Sequence, residues 1–264
     1  MQPFLKWPGG KRWLTIQNEQ IFPRVFNHYY EPFLGSGAVF FSLLPEHSTI
    51  SDLNQELINL YIVMRDYPKQ LQEIMRQHNT NHSSIYYYTI REHEPEDLVE
   101  RAGRTLYLNR TCYNGMYRVN KQGMFNVPIG TKTNCIYDVD SFEAYSKALL
   151  NSDLLSCDFA LAIAQAGEGD LVFADPPYTM AKGSGFIKYN QALFTWNDQL
   201  RLHAELSHAR DRGAYIVLTN ANCQEIRDLY GGNGFVTHNL NRNSTMSGQV
   251  RNRGVIEELV ITSF

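Results

Sequence analysis

Seven short apolar runs, most of them separated by stretches of helix length, constrain the architecture of this chain more than any other feature. His28–Phe33, Thr49–Asp52, Leu154–Phe159, Asp170–Ala174, Ala214–Asn220, Phe235–Leu240 and Glu258–Thr262 read as strands, and several are bounded by Gly, Asp or Asn. Among the helix-like stretches, Asn197–Arg212 places Leu200, His203, Leu206 and Ala209 on roughly one face, with Asn197 as N-cap and Gly213 as the stop. Alternation of this kind predicts an α/β fold: a mostly parallel sheet covered on both faces. It breaks between about Gln55 and Asp138, an interval rich in His, Tyr, Asn and Arg that reads as helices followed by a Gly-containing hairpin. Residues 1–54 and 139–264 are therefore expected to form the sheet domain, and 55–138 an insertion.

At 264 residues and 43% hydrophobic composition, the chain can bury the core of one such domain with its insertion. No apolar stretch is long enough to cross a bilayer, and MQPFLKWPGGK lacks the apolar core of a signal peptide. Cys112, Cys135, Cys157 and Cys223 lie far apart without CxxC spacing, which argues against structural zinc and a disulfide framework. The expectation is a cytoplasmic protein with neither a metal nor a membrane partner.

A net charge of −3 gives little reason to expect a nucleic-acid partner, but the average hides an asymmetry. From Arg101 through Tyr137 there are Arg101, Arg104, Arg110, Arg118, Lys121 and Lys132 and no acidic residue. A second acid-free stretch holds Arg242, Arg251 and Arg253. Such patches can meet phosphates, although a solvated face would look the same.

Chemistry is concentrated at two strand ends. After the first run comes Glu31-Pro-Phe33-Leu-Gly35-Ser-Gly37, whose glycines permit a tight turn and close approach of a ligand to the backbone. A plain strand-to-helix turn would also use them. Phe40 replaces the third glycine of a dinucleotide fingerprint, and Asp52 ends the next run, about where an acid accepts ribose hydroxyls in doubly wound folds. A nucleoside without pyrophosphate, such as S-adenosylmethionine, needs that acid and those glycines but not the full phosphate turn. The second site is Asp170-Leu-Val-Phe-Ala-Asp175-Pro176-Pro177-Tyr178, where a buried strand delivers a carboxylate and an aromatic ring to its C-terminal end. The prolines leave the Asp175 and Pro176 carbonyls without regular partners. A carboxylate and a carbonyl suit the two hydrogens of an amino group, and Tyr178 offers a face for a base.

These motifs resemble the DNA adenine methylase (Dam) family of N6-adenine methyltransferases, in the family's order and over nearly the whole chain. Lys6-Trp7-Pro8-Gly9-Gly10-Lys11 is similar to its KWxGGK motif, Glu31 to Gly37 to its cofactor loop, and Ser51-Asp52-Leu53-Asn54 to its acidic strand end. Cys157-Asp158-Phe159 resembles the segment that holds the cofactor's adenine, and Asp175 to Tyr178 the DPPY motif. Tyr113 to Arg118, continuing through Phe125-Asn126-Val127-Pro128, resembles the DNA-reading hairpin.

The resemblance implies a seven-stranded Rossmann-like sheet with one antiparallel strand near its edge, and a monomer that methylates adenine N6 in double-stranded DNA. It places Trp7, Lys11, Phe33, Gly35, Gly37, Asp52, Asp158, Phe159 and Asp175 around S-adenosylmethionine, and Asp175, Pro176 and Tyr178 around the target adenine. Lys6, Tyr113, Asn114, Met116, Arg118, Asn126, Pro128 and Lys132 would meet DNA at GATC or a related site. By themselves, Trp7 reads as a core anchor, Asp158 as a helix cap and Arg118 as a residue on a solvated turn. The target base would be flipped out, because its amino group is buried inside the duplex, and methylated directly; Pro-Pro-Tyr lacks the nucleophilic cysteine that cytosine-C5 chemistry needs. Thr131-Lys132-Thr133 stands where many relatives carry Arg-Tyr-Lys, which implies a weaker grip on flanking DNA. Two other readings stay open: methylation of RNA or of an amide nitrogen, and a catalytically inactive DNA-binding relative.

Overall fold

The computed structural model describes residues 1–120, 122–137, 141–178, 194–232, 234–243 and 255–264. Lys121, Arg251, Arg253, the side chain of Arg242 and the Asp138 end of the expected insertion lie outside the described residues.

The strands are β1 (Tyr29–Glu31), β2 (Ser48–Ser51), β3 (Ser152–Leu155), β4 (Leu171–Ala174), β5 (Tyr215–Ala221), β6 (Val236–Asn243) and β7 (Val255–Thr262). They form one sheet in the order β3-β2-β1-β4-β5-β7-β6. β1 runs parallel to β2 and β4, and β4 parallel to β5, whereas β7 is antiparallel to both β5 and β6. Every residue of β1, β2 and β4 is buried, as expected for strands covered on both faces. The strand order reverses between β1 and β4. The carboxyl ends of these neighbours are where open α/β sheets bind ligands, and they lead into Pro32-Phe33 and Asp175-Pro176 respectively.

Each of the seven expected runs overlaps a strand, but β6 runs on to Asn243, β7 begins at Val255, and only Leu154 and Leu155 of Leu154–Phe159 are in β3. β3 stops at Leu155 because Asp158 turns the chain: its carboxylate accepts the Ala160 N–H at 3.0 Å and caps the helix Phe159–Ile163. The expected helix Asn197–Arg212 runs instead from Trp196 to Asp211, with Thr195, not Asn197, as its N-cap. Thr195 and Asp198 exchange hydrogen bonds in a capping box, which satisfies two N–H groups that Asn197 would leave open. The buried face is also rotated from the expected one, to Gln199, Leu202, Leu206 and Ala209, and Leu200 is 43% exposed.

The chain divides into two compact units. The first comprises Met1–Thr15, Gly35–Glu46 and Asp52–Ser156. Its helices Gln55–Asp66, Pro68–Asn81, Ser84–Glu92 and Leu98–Thr111 are followed by an irregular hairpin, bridged at Val119 and Phe125. Asn54 and Asp97 cap the first and last of these helices. Phe4, Phe41, Tyr61 and Tyr145 pack edge-on, tilted or stacked in its interior. The second unit comprises Ile16–Leu34, His47–Ser51 and Cys157–Phe264. There Val172, Ala174, Ile216, Leu218, Leu259 and Ile261 of the sheet pack with Leu202, Leu206 and Ala209 of the helix Trp196–Asp211. Each large aliphatic side chain buried this way contributes roughly 1.5–3 kcal/mol, which makes the sheet a firm base for the loops at its edge.

Candidate active site and nucleic-acid interface

In the first unit, the N-terminal loop packs on the glycine turn. Gly35 has φ +49° and Gly37 φ +61°, left-handed values that favour glycine. A Cβ on Gly35 would stand 2.8 Å from Trp7 Cδ1, so the indole occupies the space that a side chain would need. The Gly35 N–H donates to Asp52 Oδ2 at 3.1 Å, and the Asn54 N–H donates to Asp52 Oδ1 at 3.0 Å. Burial pushes the Asp52 carboxyl above the usual carboxylate range, against the pull of these backbone donors. Trp7, Gly35 and Asp52 thus form one connected group. Lys11 is buried and donates from Nζ to the Gly9 carbonyl at 2.7 Å, which closes the loop. Phe40, in place of a third glycine, is fully buried at the head of a four-residue helix. The turn therefore allows close approach to the backbone and sets a carboxylate beside it, without a long helix aimed at a pyrophosphate, and this fits S-adenosylmethionine.

In the second unit, Phe33 stacks on Phe159 with centroids 5.5 Å apart, and Phe194 meets Phe159 at 5.9 Å. Arg201 adds a feature absent from the sequence reading. Its guanidinium lies 4.8 Å over the Phe159 ring and donates to Asp158 Oδ1 at 2.9 Å. Asp158 is thus a helix cap and an ion-pair partner at once. Beyond β4, Thr219 donates to Asp175 Oδ1 at 2.6 Å, and the Tyr178 hydroxyl donates to Glu258 Oε2 at 3.0 Å. Burial and the nearby Asp175 and Glu258 carboxylates hold the Tyr178 phenol well above its usual pKa, so it stays a donor. No described residue donates a hydrogen bond to the Pro176 carbonyl.

The hairpin of the first unit brings the expected DNA-reading residues into one segment. Asn114 and Gly115 both adopt positive φ, and a Cβ on Gly115 would strike Lys6 Cδ at 2.6 Å. Asn109 fixes the Lys6 backbone, accepting its N–H at 3.0 Å and donating to its carbonyl at 2.7 Å. Lys6, Tyr113, Asn114, Met116, Arg118, Pro128 and Lys132 are exposed, and Asn126 is half-buried. Arg118 Nε donates to Asn126 Oδ1 at 2.8 Å. Tyr117, between Met116 and Arg118, turns inward and stacks on Trp7 at 4.8 Å.

The expected basic patch is corrected. Arg101 pairs with Glu56. Arg104 is 9% exposed and donates to the Ile90 and Arg91 carbonyls, and burial lowers its pKa from the usual value. Arg110 is 4% exposed and donates to the Phe4 and Cys135 carbonyls. A guanidinium can serve as a cross-link between backbone segments because its donors fan out in a rigid fork. These three arginines hold the first unit together, which leaves Arg118 and Lys132 as the exposed cations of that stretch among the described residues.

Sequence reasoning also missed Asn109, Tyr117, Thr219 and Glu258. Two of them carried a readable signal. Thr219 is a polar residue closing an apolar run at the carboxyl end of a strand, and Glu258 is a charge inside one.

An α/β sheet with a glycine turn, an acid at the next strand end and Asp-Pro-Pro-Tyr after a buried strand defines a nucleoside-dependent methyltransferase. Residues 7–246 match the model of the D12 class N6 adenine-specific DNA methyltransferases, and the chain belongs to that family. It is 36% identical over 274 residues to the Type II methyltransferase M1.LlaDCHI of Lactococcus lactis subsp. cremoris, covering 100% of this chain and 96% of that protein. The Type II methyltransferase M.MjaIII of Methanocaldococcus jannaschii is 33% identical, with 99% of each chain covered. The DNA adenine methylase of Vibrio cholerae is 29% identical over 97% of this chain and 94% of its own. The chain is an adenine-specific DNA methyltransferase, and its methyl donor is S-adenosylmethionine. Among the described residues, no helix is long and apolar enough to cross a membrane, and no cluster of His, Cys, Asp or Glu could hold a metal ion.

Proposed function

We propose that this enzyme methylates adenine N6 in duplex DNA at GATC, or at a site differing from it at an outer position, after flipping the adenine out of the helix. The observation that carries the reading is the pairing, directly after β4, of the Asp175 carboxylate with a Pro176 carbonyl that no described residue engages, beside the Tyr178 ring. The N6 lone pair is conjugated with the ring and is a poor nucleophile. Asp175 and the Pro176 carbonyl accept the two amino hydrogens, and they bind them more tightly as N6 becomes tetrahedral and positive. Flipping costs a few kcal/mol, and stacking on Tyr178 offsets about 1–3 kcal/mol of it.

Bound S-adenosylmethionine supplies an electrophilic sulfonium methyl. Trp7, Lys11, Phe33, Gly35 and Gly37 line its pocket in this reading, with Asp52 on the ribose and Asp158 and Phe159 on the adenine. Residues 55–138 form the target-recognition insertion. Arg118 reads guanine through O6 and N7, Met116 and Pro128 contact a thymine methyl, and Lys6, Tyr113, Asn114, Asn126 and Lys132 complete the DNA surface. The enzyme acts as a monomer on cytoplasmic, nucleoid-associated DNA. Expression in a methylation-free host followed by mapping of N6-methyladenine tests the specificity. Modified adenines are expected mostly in GATC-like sites, and Arg118→Ala should spread them to other sequences. A map dominated by unrelated sites would sink the specificity reading.

A further inference from the structure

Glu258 is 1% exposed, on a strand whose next residue, Leu259, is fully buried. Carboxylates are rarely so deep unless something engages them. In β7, Val260 is opposite Thr219 and Glu258 opposite Ala221. Residues two apart on a strand share a face, so Thr219 and Glu258 are diagonal neighbours on one side of the sheet. Each reaches the motif that follows β4: Thr219 holds Asp175 at 2.6 Å, and Glu258 receives the Tyr178 hydroxyl at 3.0 Å. Thr219 itself is fully buried. Two side chains from neighbouring strands therefore pin both polar groups of the Asp-Pro-Pro-Tyr segment.

We propose that Glu258 is a positioning residue: by accepting the Tyr178 hydroxyl it fixes the orientation of the ring on which the flipped adenine stacks. The inference rests on the adenine-site reading of Asp175 to Tyr178 given above. The prolines set the backbone of the motif but leave the tyrosine side-chain torsions free, and an unanchored ring would lose rotamer freedom each time a base stacked on it. Anchoring the hydroxyl moves that cost from binding to folding, which is what preorganisation means for a flat aromatic platform. Asp175, anchored by Thr219, is kept in a fixed relation to the ring through the same pair of strands.

The test uses full-length enzyme with duplex DNA carrying 2-aminopurine at the target position for flipping, and adenine at that position for single-turnover methylation. Glu258→Leu should slow methylation about 10–100-fold and reduce the 2-aminopurine emission rise, with DNA and S-adenosylmethionine affinities within about twofold. Glu258→Gln, whose carbonyl still accepts the hydroxyl, should stay within about threefold of wild type. Tyr178→Phe should lose about as much as Glu258→Leu, and the double variant no more than either single change, because both remove the same hydrogen bond. The double variant has no orphaned hydroxyl, so comparing it with Tyr178→Phe keeps the test valid if Glu258→Leu alone folds poorly. Wild-type rates in Glu258→Leu would overturn the inference. So would a double variant that loses the product of both single effects, or a Glu258→Gln variant as slow as Glu258→Leu. If wild type neither raises the emission nor methylates adenine, the adenine-site reading itself fails, an outcome distinct from a wild type that flips and a Glu258→Leu that flips equally well.

Discussion

A methyl group added at Gly35 has two separate costs. The residue sits at φ +49°, where a side chain costs about 1–2 kcal/mol. Its Cβ would also lie 2.8 Å from Trp7 Cδ1, inside contact distance, so the indole must slide. Trp7 is stacked on Tyr117 with centroids 4.8 Å apart, and disturbing an aromatic pair costs about 0.5–1.5 kcal/mol. Gly35→Ala should therefore lower stability by about 1.5–3.5 kcal/mol, read as a lower midpoint in urea at an unchanged slope. The same shift moves the Gly35 N–H that donates to Asp52 at 3.1 Å. The turn and the carboxylate proposed to hold the ribose are disturbed together, and the dissociation constant for S-adenosylmethionine should rise at least about tenfold, equivalent to 1.4 kcal/mol. Titration calorimetry on the folded variant measures this directly. Wild-type affinity in Gly35→Ala would refute the cofactor role given to this turn.

Three further outcomes are expected. Asp175→Ala should abolish turnover but keep duplex affinity within about twofold in a gel-shift titration, because phosphate contacts carry most of a protein's affinity for DNA. Asp158→Ala should weaken S-adenosylmethionine binding by about 1–3 kcal/mol. Arg201→Ala should change it less than about fivefold, because its pair with Asp158 is 50% and 39% exposed and such pairs contribute about 0–1 kcal/mol. A larger loss in Arg201→Ala would make Arg201 part of the adenine pocket. Lastly, burial lowers the pKa of His78 from 6.5 to about 4 while its ring stacks on Tyr107 at 4.6 Å. The unfolded chain binds a proton there below about pH 6.5 and the native chain only near pH 4. This contribution is intact above pH 6.5 and is lost as pH falls to 4, by about 3 kcal/mol. His78→Phe should flatten the loss, as measured by urea denaturation across that range.

What was legible in the sequence was whatever has a local cause. Asp52 and Asp175 follow apolar runs directly, so their place at strand ends could be read from neighbouring residues. A Gly-containing hairpin was expected after the helices of the insertion, and Asn114 and Gly115 there adopt positive φ. The features that were not legible depend on distant partners. Arg110 looked like a surface cation because the Phe4 carbonyl it holds is 106 residues away. The helix Trp196–Asp211 buries Leu202 rather than Leu200 because its phase is set by the sheet beneath it, and a helix rich in both polar and apolar residues does not reveal that phase. Tyr178 was expected to matter for its ring alone. Its hydroxyl partner lies 80 residues along the chain, on a strand next to neither β4 nor its helices in sequence.

The role proposed for Asp175-Pro176-Pro177-Tyr178 is transfer of a methyl group to adenine N6. Incubating purified enzyme with unmethylated duplex DNA and isotopically labelled S-adenosylmethionine, then resolving the nucleosides by mass spectrometry, tests it. Wild type is expected to place the label in N6-methyldeoxyadenosine, and Asp175→Ala to place none. Label in a methylated cytosine instead, or equal label with Asp175→Ala, would contradict it.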